Sequence, residues 1–134
     1  MDVAEINRRV IQQFRAGGDI EGMHREALIL LTTTGAKTGQ PRTTPMMFHR
    51  DGERILVIAS NAGAPKDPDW YGNLVRDPRV TVEVGEQTYP AIASVLTGAD
   101  RDRSWTILKE TYPFFAEHEQ QAGRTIPVVA LTRQ

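Results

Sequence analysis

Three stretches of the chain concentrate residues able to do chemistry. The first is Thr32-Thr33-Thr34-Gly35-Ala36-Lys37-Thr38-Gly39-Gln40-Pro41-Arg42. A glycine-flanked turn exposes backbone N–H groups, which can form an anion-binding concavity. Lys37 adds a mobile point charge and Arg42 a planar fork suited to phosphate or carboxylate, while Thr34 and Thr38 add hydroxyl donors. The same residues also make an ordinary hairpin with surface charges, and spacing does not decide between the two. The second stretch runs from Ala59-Ser60-Asn61 through Lys66 to Trp70-Tyr71-Gly72-Asn73. Small side chains at a strand end let a flat ligand approach the backbone closely. Adjacent aromatics at a helix start can wall a planar ring, and Asn73 lies one turn beyond Trp70. Core packing by Trp70 and Leu74 is the plainer reading of that pair. The third stretch is Tyr112-Pro113-Phe114-Phe115-Ala116-Glu117-His118. Tyr112, Phe115 and His118 are spaced by three and can share a helical face. Tyr112 and His118 are proton donors and Phe115 an apolar wall, unless the phenylalanines are core and His118 is surface.

The elements that must position these stretches follow from periodicity. Residues 3–16 read as an amphipathic helix through Val3, Ile6, Val10, Ile11 and Phe14, stopped by Gly17-Gly18-Asp19. Such a helix can dock on its own domain, on a partner or on a membrane surface, with its own domain as the default. The continuous apolar run 26–33 predicts a buried strand, and 34–41 a turn. Strands are expected over 42–50, with Pro45 at an edge or bulge, and over 54–60 after the Asp51-Gly52 hairpin signal. A loop at 61–68, a short helix at 68–77 and strands at 79–84 and 87–96 follow. The last elements are a helix within 99–121, interrupted at Pro113, and a strand at 124–132. Hairpin-length turns without regular βαβ alternation argue against a doubly wound parallel sheet. The expected architecture is β-rich α+β: a mostly antiparallel, six-stranded small barrel with flanking helices. The chain reads as one domain over 1–134, with residues 1–16 as the helix and 20–132 as the barrel.

Composition narrows the chemistry. The 134 residues hold 40 % hydrophobic and 25 % charged residues, a globular balance. The net charge of −1 argues against a nucleic-acid binder, which works by phosphate neutralisation. Residues 36–66 carry a net +3 and residues 67–123 a net −5. A local basic zone on a near-neutral protein suits a small anion better than a polymer. With no cysteine, disulfides, thiolate metal sites and cysteine nucleophiles are excluded, which fits a reducing cytoplasm. His24, His49 and His118 lack metal-ligand spacing, so no metal is expected. Dinucleotide, P-loop and nucleophile-elbow motifs are missing. No apolar run reaches the ~20 residues that span a bilayer, and MDVAEINRRV has no secretory h-region.

LLTTTGAKTGQPR, ASNAGAPKDPDWYGNL and TYPFF…RTIPVVAL, in this order, resemble the deazaflavin-dependent nitroreductase and quinone reductase family over about residues 20–132. The resemblance implies a split β-barrel that uses reduced coenzyme F420, an 8-hydroxy-5-deazaflavin, rather than FMN. It implies that the turn at Lys37, Thr38 and Arg42 holds the anionic tail of the cofactor. Ala59, Ser60 and Asn61 would lie along its ring, with Lys66, Trp70 and Asn73 nearby. Tyr112, Phe115 and His118 match the row lining the substrate side, with Tyr112 orienting the acceptor or giving it a proton. The implied reaction passes a hydride to a planar electron acceptor: a quinone, a nitro compound or another conjugated electrophile. The implied setting is a cytoplasmic protein, with a homodimer and peripheral membrane contact through the first helix as further expectations. Two departures stand out: Ala36-Lys37 replaces an Arg-Lys pair, and Ser60-Asn61-Ala62-Gly63 replaces Ser-Lys-Gly-Gly. Both remove a cation from the cofactor side, and Phe115 and His118 replace tyrosines. Activation of bulky nitroimidazoles is therefore not implied. Alternatives are a non-catalytic barrel that carries F420, a flavin or a fatty acid, and a plain interaction domain.

Overall fold

Short turns between strands make antiparallel neighbours of them, and the apolar runs decide which strands are covered on both faces. The computed structural model describes residues 3–18, 20 and 24–134. Helix α1 (Val3–Ala16) leads into β1 (Leu28–Thr34), β2 (Pro41–Met47), β3 (His49–Asp51) and β4 (Arg54–Ile58). Helix α2 (Asp69–Arg76), strands β5 (Arg79–Val84) and β6 (Gln87–Val95), helices α3 (Gly98–Thr111) and α4 (Phe114–Ala122), and β7 (Val128–Arg133) complete it. The seven strands form one antiparallel sheet in the order β2-β1-β5-β6-β7-β4-β3.

The expected six strands become seven because 42–50 divides at Phe48. β2 pairs with β1 at one end of the sheet and β3 with β4 at the other. Consecutive Cα atoms are ~3.8 Å apart, so a one-residue link forces the two ends of the sheet together. Phe48 is thus the corner where the barrel closes, and its ring packs on the interior. Pro45, opposite Leu30 on this end strand, needs no N–H for a second neighbour. The interruption expected at Pro113 is complete: two helices stand within this stretch, separated by Tyr112-Pro113. Pro127 delays the last strand to Val128.

Burial alternates with two different linings. Ile29, Leu31, Ile55, Val57, Val82, Val129 and Leu131 fill the barrel, which Trp70 and Leu74 of α2 plug at one end. The intervening Leu56, Val128 and Ala130 face outward under Trp105, Leu108 and Phe115 of α3 and α4. Leu30 is covered by Val10 and Phe14 of α1 together with Ile20. Strands covered on both faces read as continuous apolar runs, which is why 26–33 and 54–60 show no alternation. Helix α1 therefore docks on its own barrel, and its Arg15 forms a fork with Glu83 of β5 at 2.9 and 3.0 Å. Asp19, part of the expected helix stop, and the Val3 side chain lie outside the described residues. No helix among the described residues is long and apolar enough to cross a membrane.

Candidate functional site

The turn between β1 and β2 is closed by its own backbone. Gly35 N–H donates to the Gln40 carbonyl and Gly39 N–H to the Gly35 carbonyl, both at 2.8 Å. The Gln40 N–H donates to Thr38 Oγ1 at 3.2 Å. A Cβ on Gly35 would stand 2.8 Å from Thr38 Oγ1 and 3.2 Å from the Gln40 carbonyl oxygen, and Gly39 has φ +70°. Both positions therefore need glycine. The turn is also tied to α2. Asn73 Oδ1 accepts the Ala36 N–H at 3.0 Å, and its Nδ2 donates to Thr33 Oγ1 at 3.2 Å. The amide orientation follows from that pair of partners. Asn73 and Thr33 are only 9 % and 2 % exposed.

Between this turn, the start of β2 and α2 runs an open groove of about 1180 Å³. Lys37, Thr38 and Arg42 line one side, and Trp70, Asn73 and Arg76 the other. Lys37, Arg42 and Arg76 have no ion-pair or hydrogen-bond partner among the described residues, whereas Arg79 nearby is engaged by Asp77 at 2.9 Å. Three uncompensated cations around one groove, Lys37 and Arg42 on one side and Arg76 on the other, favour an anionic ligand. Trp70 serves both the groove and the core. Tyr71 also lines the groove; burial, and secondarily the charge of Asp67, pushes its phenol up from the ordinary value.

Ala59, Ser60, Asn61 and Lys66 are not among the residues lining that groove. They form a loop leading into it. Asn61 and Ala62 have φ of 49° and 54°, a left-handed conformation that side chains seldom adopt. Gly63, at φ +84°, packs against the Gln121 side chain of α4, which would have to shift to admit a Cβ. Arg124 gathers this loop. Its guanidinium donates to the carbonyls of Ala59, Ser60, Ala64 and Lys66 at 3.1–3.3 Å and to Asp67 at 2.7 Å.

Tyr112, Phe115 and His118 do come together, although the helix breaks between them. Their rings, with Phe114, form a cluster of edge-to-face and tilted pairs with centroids 4.5–6.1 Å apart. The Tyr112 hydroxyl is 3.2 Å from His49 Nδ1 of β3. Phe115 is 2 % exposed and belongs to the packed layer against Trp105, while Phe114 is 39 % exposed. His118 Nδ1 is buried without a hydrogen-bond partner among the described residues. The cluster lies outside the lining of the basic groove.

Sequence reasoning passed over Arg76, Arg124 and the pairing of His49 with Tyr112. Arg76 had a usable signal, since it follows Asn73 by three on a short helix. The other two had none. His49 is 63 residues from Tyr112, and Arg124 is 57 from Asp67.

Known proteins resemble this chain in sequence and fold. The model of the family described as F420H(2)-dependent quinone reductase matches residues 5–133. The F420H(2)-dependent quinone reductase Rv1261c of Mycobacterium tuberculosis is 41% identical over 109 residues, 79% of this chain and 73% of that protein. Among solved structures, an F420-H2 dependent reductase (FDR-A) superposes with a TM-score of 0.72 at 36% identity, covering 82% of this chain and 99% of that one. A second, described as a domain-swapped dimer, superposes with a TM-score of 0.74 at 34% identity, over 92% and 95% of the two chains. The haem storage protein HutZ of Vibrio cholerae, at 15% identity and a TM-score of 0.58, shares the fold alone.

Proposed function

The chain belongs to the F420H(2)-dependent quinone reductase family, and we propose that it passes a hydride from reduced F420 to a quinone. The observation that carries the site assignment is the groove with three uncompensated cations, Lys37, Arg42 and Arg76, beside a small-residue turn. Its residues fit the cofactor. Cations without carboxylate partners suit an anionic tail, Gly35, Ala36 and Gly72 leave room, and Trp70 and Tyr71 offer aromatic faces. When bound, F420H2 supplies the hydride from C5 of its deazaflavin ring.

Lys37, Thr38, Arg42 and Arg76 hold the tail by charge-assisted hydrogen bonds. Asn73 supports the turn from behind through the Ala36 N–H and Thr33. Ala59, Ser60 and Asn61, on the loop that leads into the groove, would offer backbone and small side chains to the ring, with Lys66 near it. An acceptor that receives a hydride is left with a negative oxygen and needs a proton. Tyr112 is the group assigned to give it. With His49 Nδ1–H donating to the phenol oxygen, the Tyr112 proton is free to point at the acceptor. Phe114 and His118 border that side, and Phe115 backs the Tyr112 ring. The chain's own contribution is orientation and electrostatics.

A homodimer and peripheral membrane contact belong to the same reading. The domain-swapped relative supports the first. Exposed Ile6, Arg8 and Arg9 on α1 leave an amphipathic strip for the second. Sedimentation with and without anionic vesicles tests both. The central test is fluorescence titration with oxidised F420, with FMN as comparison, followed by oxidation of F420H2 by a quinone. Tight F420 binding, weaker FMN binding and quinone-dependent oxidation are expected. Binding without acceptor-dependent oxidation would make the barrel a carrier.

A further inference from the structure

We propose that Arg124 is a positioning residue of the groove, which pins the 59–67 loop and neutralises Asp67 beside the anion that the groove takes. The inference rests on the reading of the groove as the site of an anionic cofactor. Arg124 contributes no lining to the groove. Its guanidinium is instead spent on four carbonyls of one loop and one carboxylate. Such a fork matches several acceptors at once, which an ammonium cannot. The side chain is 17% exposed, so these bonds are poorly replaced by water.

The loop needs an external holder. Asn61 and Ala62 sit in left-handed backbone, which persists only where surrounding structure over-determines it. Two internal amide bonds, Gly63 N–H to Ser60 and Ala64 N–H to Asn61, close it at 3.0 Å. The loop's last residue, Asp67, is part of the groove wall and is followed directly by Pro68 and by Trp70 on α2. Moving the loop therefore moves the wall. Charge points the same way. Asp67 is one of two carboxylates, with Asp69, in the lining that also carries Lys37, Arg42 and Arg76, and its field reaches the neighbouring Tyr71 phenol. Held at 2.7 Å by Arg124, its charge is compensated; released, it repels an anionic ligand.

The experiment compares Arg124→Met, Arg124→Lys, Asp67→Asn and the double variant Arg124→Met/Asp67→Asn. Two quantities are read: hydrogen exchange of the Gly63 and Ala64 amides in the ligand-free protein, and F420 affinity by fluorescence. Arg124→Met is expected to speed exchange at those amides at least tenfold, with the amides of β4 and β7 unchanged, and to weaken F420 binding at least tenfold. Arg124→Lys keeps a charge near Asp67 but cannot span four carbonyls. It should speed exchange while losing less affinity than Arg124→Met. Adding Asp67→Asn to Arg124→Met should restore affinity at least threefold. Wild-type exchange in Arg124→Met overturns the pinning. No gain from Asp67→Asn in that background overturns the neutralisation. If wild-type protein takes up no F420, the reading of the groove falls, and exchange in the ligand-free protein still decides whether Arg124 holds the loop.

Discussion

Replacing Asn73 by alanine separates two roles that its position in the groove permits: contact with a ligand, and support of the turn. The amide makes two hydrogen bonds, from the Ala36 N–H and to Thr33 Oγ1, 37 and 40 residues away. Losing the bond to Thr33 costs about 1 kcal/mol net. The Ala36 N–H is left partly buried without an acceptor, which costs a further ~1–2 kcal/mol. The expected total is about 2.5 kcal/mol. With an unfolding entropy of roughly 2.1 cal/mol/K per residue over 134 residues, that lowers Tm by about 9 °C. Thr33→Val removes only the second bond and should cost about 1 kcal/mol. Because the two residues share that bond, the double variant should be less destabilised than the sum of the singles. Urea unfolding monitored by tryptophan fluorescence, in the absence of any ligand, measures all three. A ligand-free Asn73→Ala protein with wild-type stability would refute the argument and leave Asn73 as a ligand contact alone.

Other expectations follow from the same geometry. Lys37→Ala and Arg42→Ala should each weaken F420 binding by about tenfold or more, the scale of one charge-assisted hydrogen bond. Both losses should shrink as salt is raised, and a salt-independent titration would count against ion pairing with the tail. Tyr112→Phe should keep F420 affinity and lower quinone turnover on the order of 10²-fold, the lower end for general acid catalysis; stopped-flow oxidation of F420H2 reads this, and unchanged turnover removes Tyr112 from the proton step. Asp100 at the start of α3 bonds Arg54 at 2.8 Å, and that hydrogen bond holds its carboxyl below the ordinary value of 3.8. A lowered folded-state value means that the stabilisation is complete above the unfolded value and is lost as pH falls through the folded one. Asp100→Asn should therefore flatten the acid limb of a stability–pH curve below about pH 4 and leave its slope near neutrality unchanged.

Much of the architecture is decided by short-range pattern. The turn at 34–41, the Asp51-Gly52 hairpin and the β5–β6 pair at Gly85-Glu86 are local, and the strands on either side of them pair as their spacing requires. The apolar stretches within 26–33 and 54–60 point to strands buried on both faces. Lys37, Thr38, Arg42, Trp70 and Asn73 are legible as candidates because glycines, cations and aromatics cluster within a few positions of one another, and all five line the same groove.

Long-range meetings lay beyond that pattern. A one-residue break at Phe48 sends β2 and β3 to opposite ends of the sheet and closes the barrel, yet 42–50 carries no signal distinguishing two strands from one. Asn73, expected beside the cofactor, lines the groove and also spends its amide on the turn, through partners 37 and 40 residues away. Arg124 looked like the start of a strand, while His49 and Tyr112 sit in different elements with no shared motif. Periodicity reports which face of a segment is apolar, because that depends on neighbours three or four residues away. Which cation finds a carboxylate, and which is left to face the groove, depends on distances that exist only once the barrel has closed.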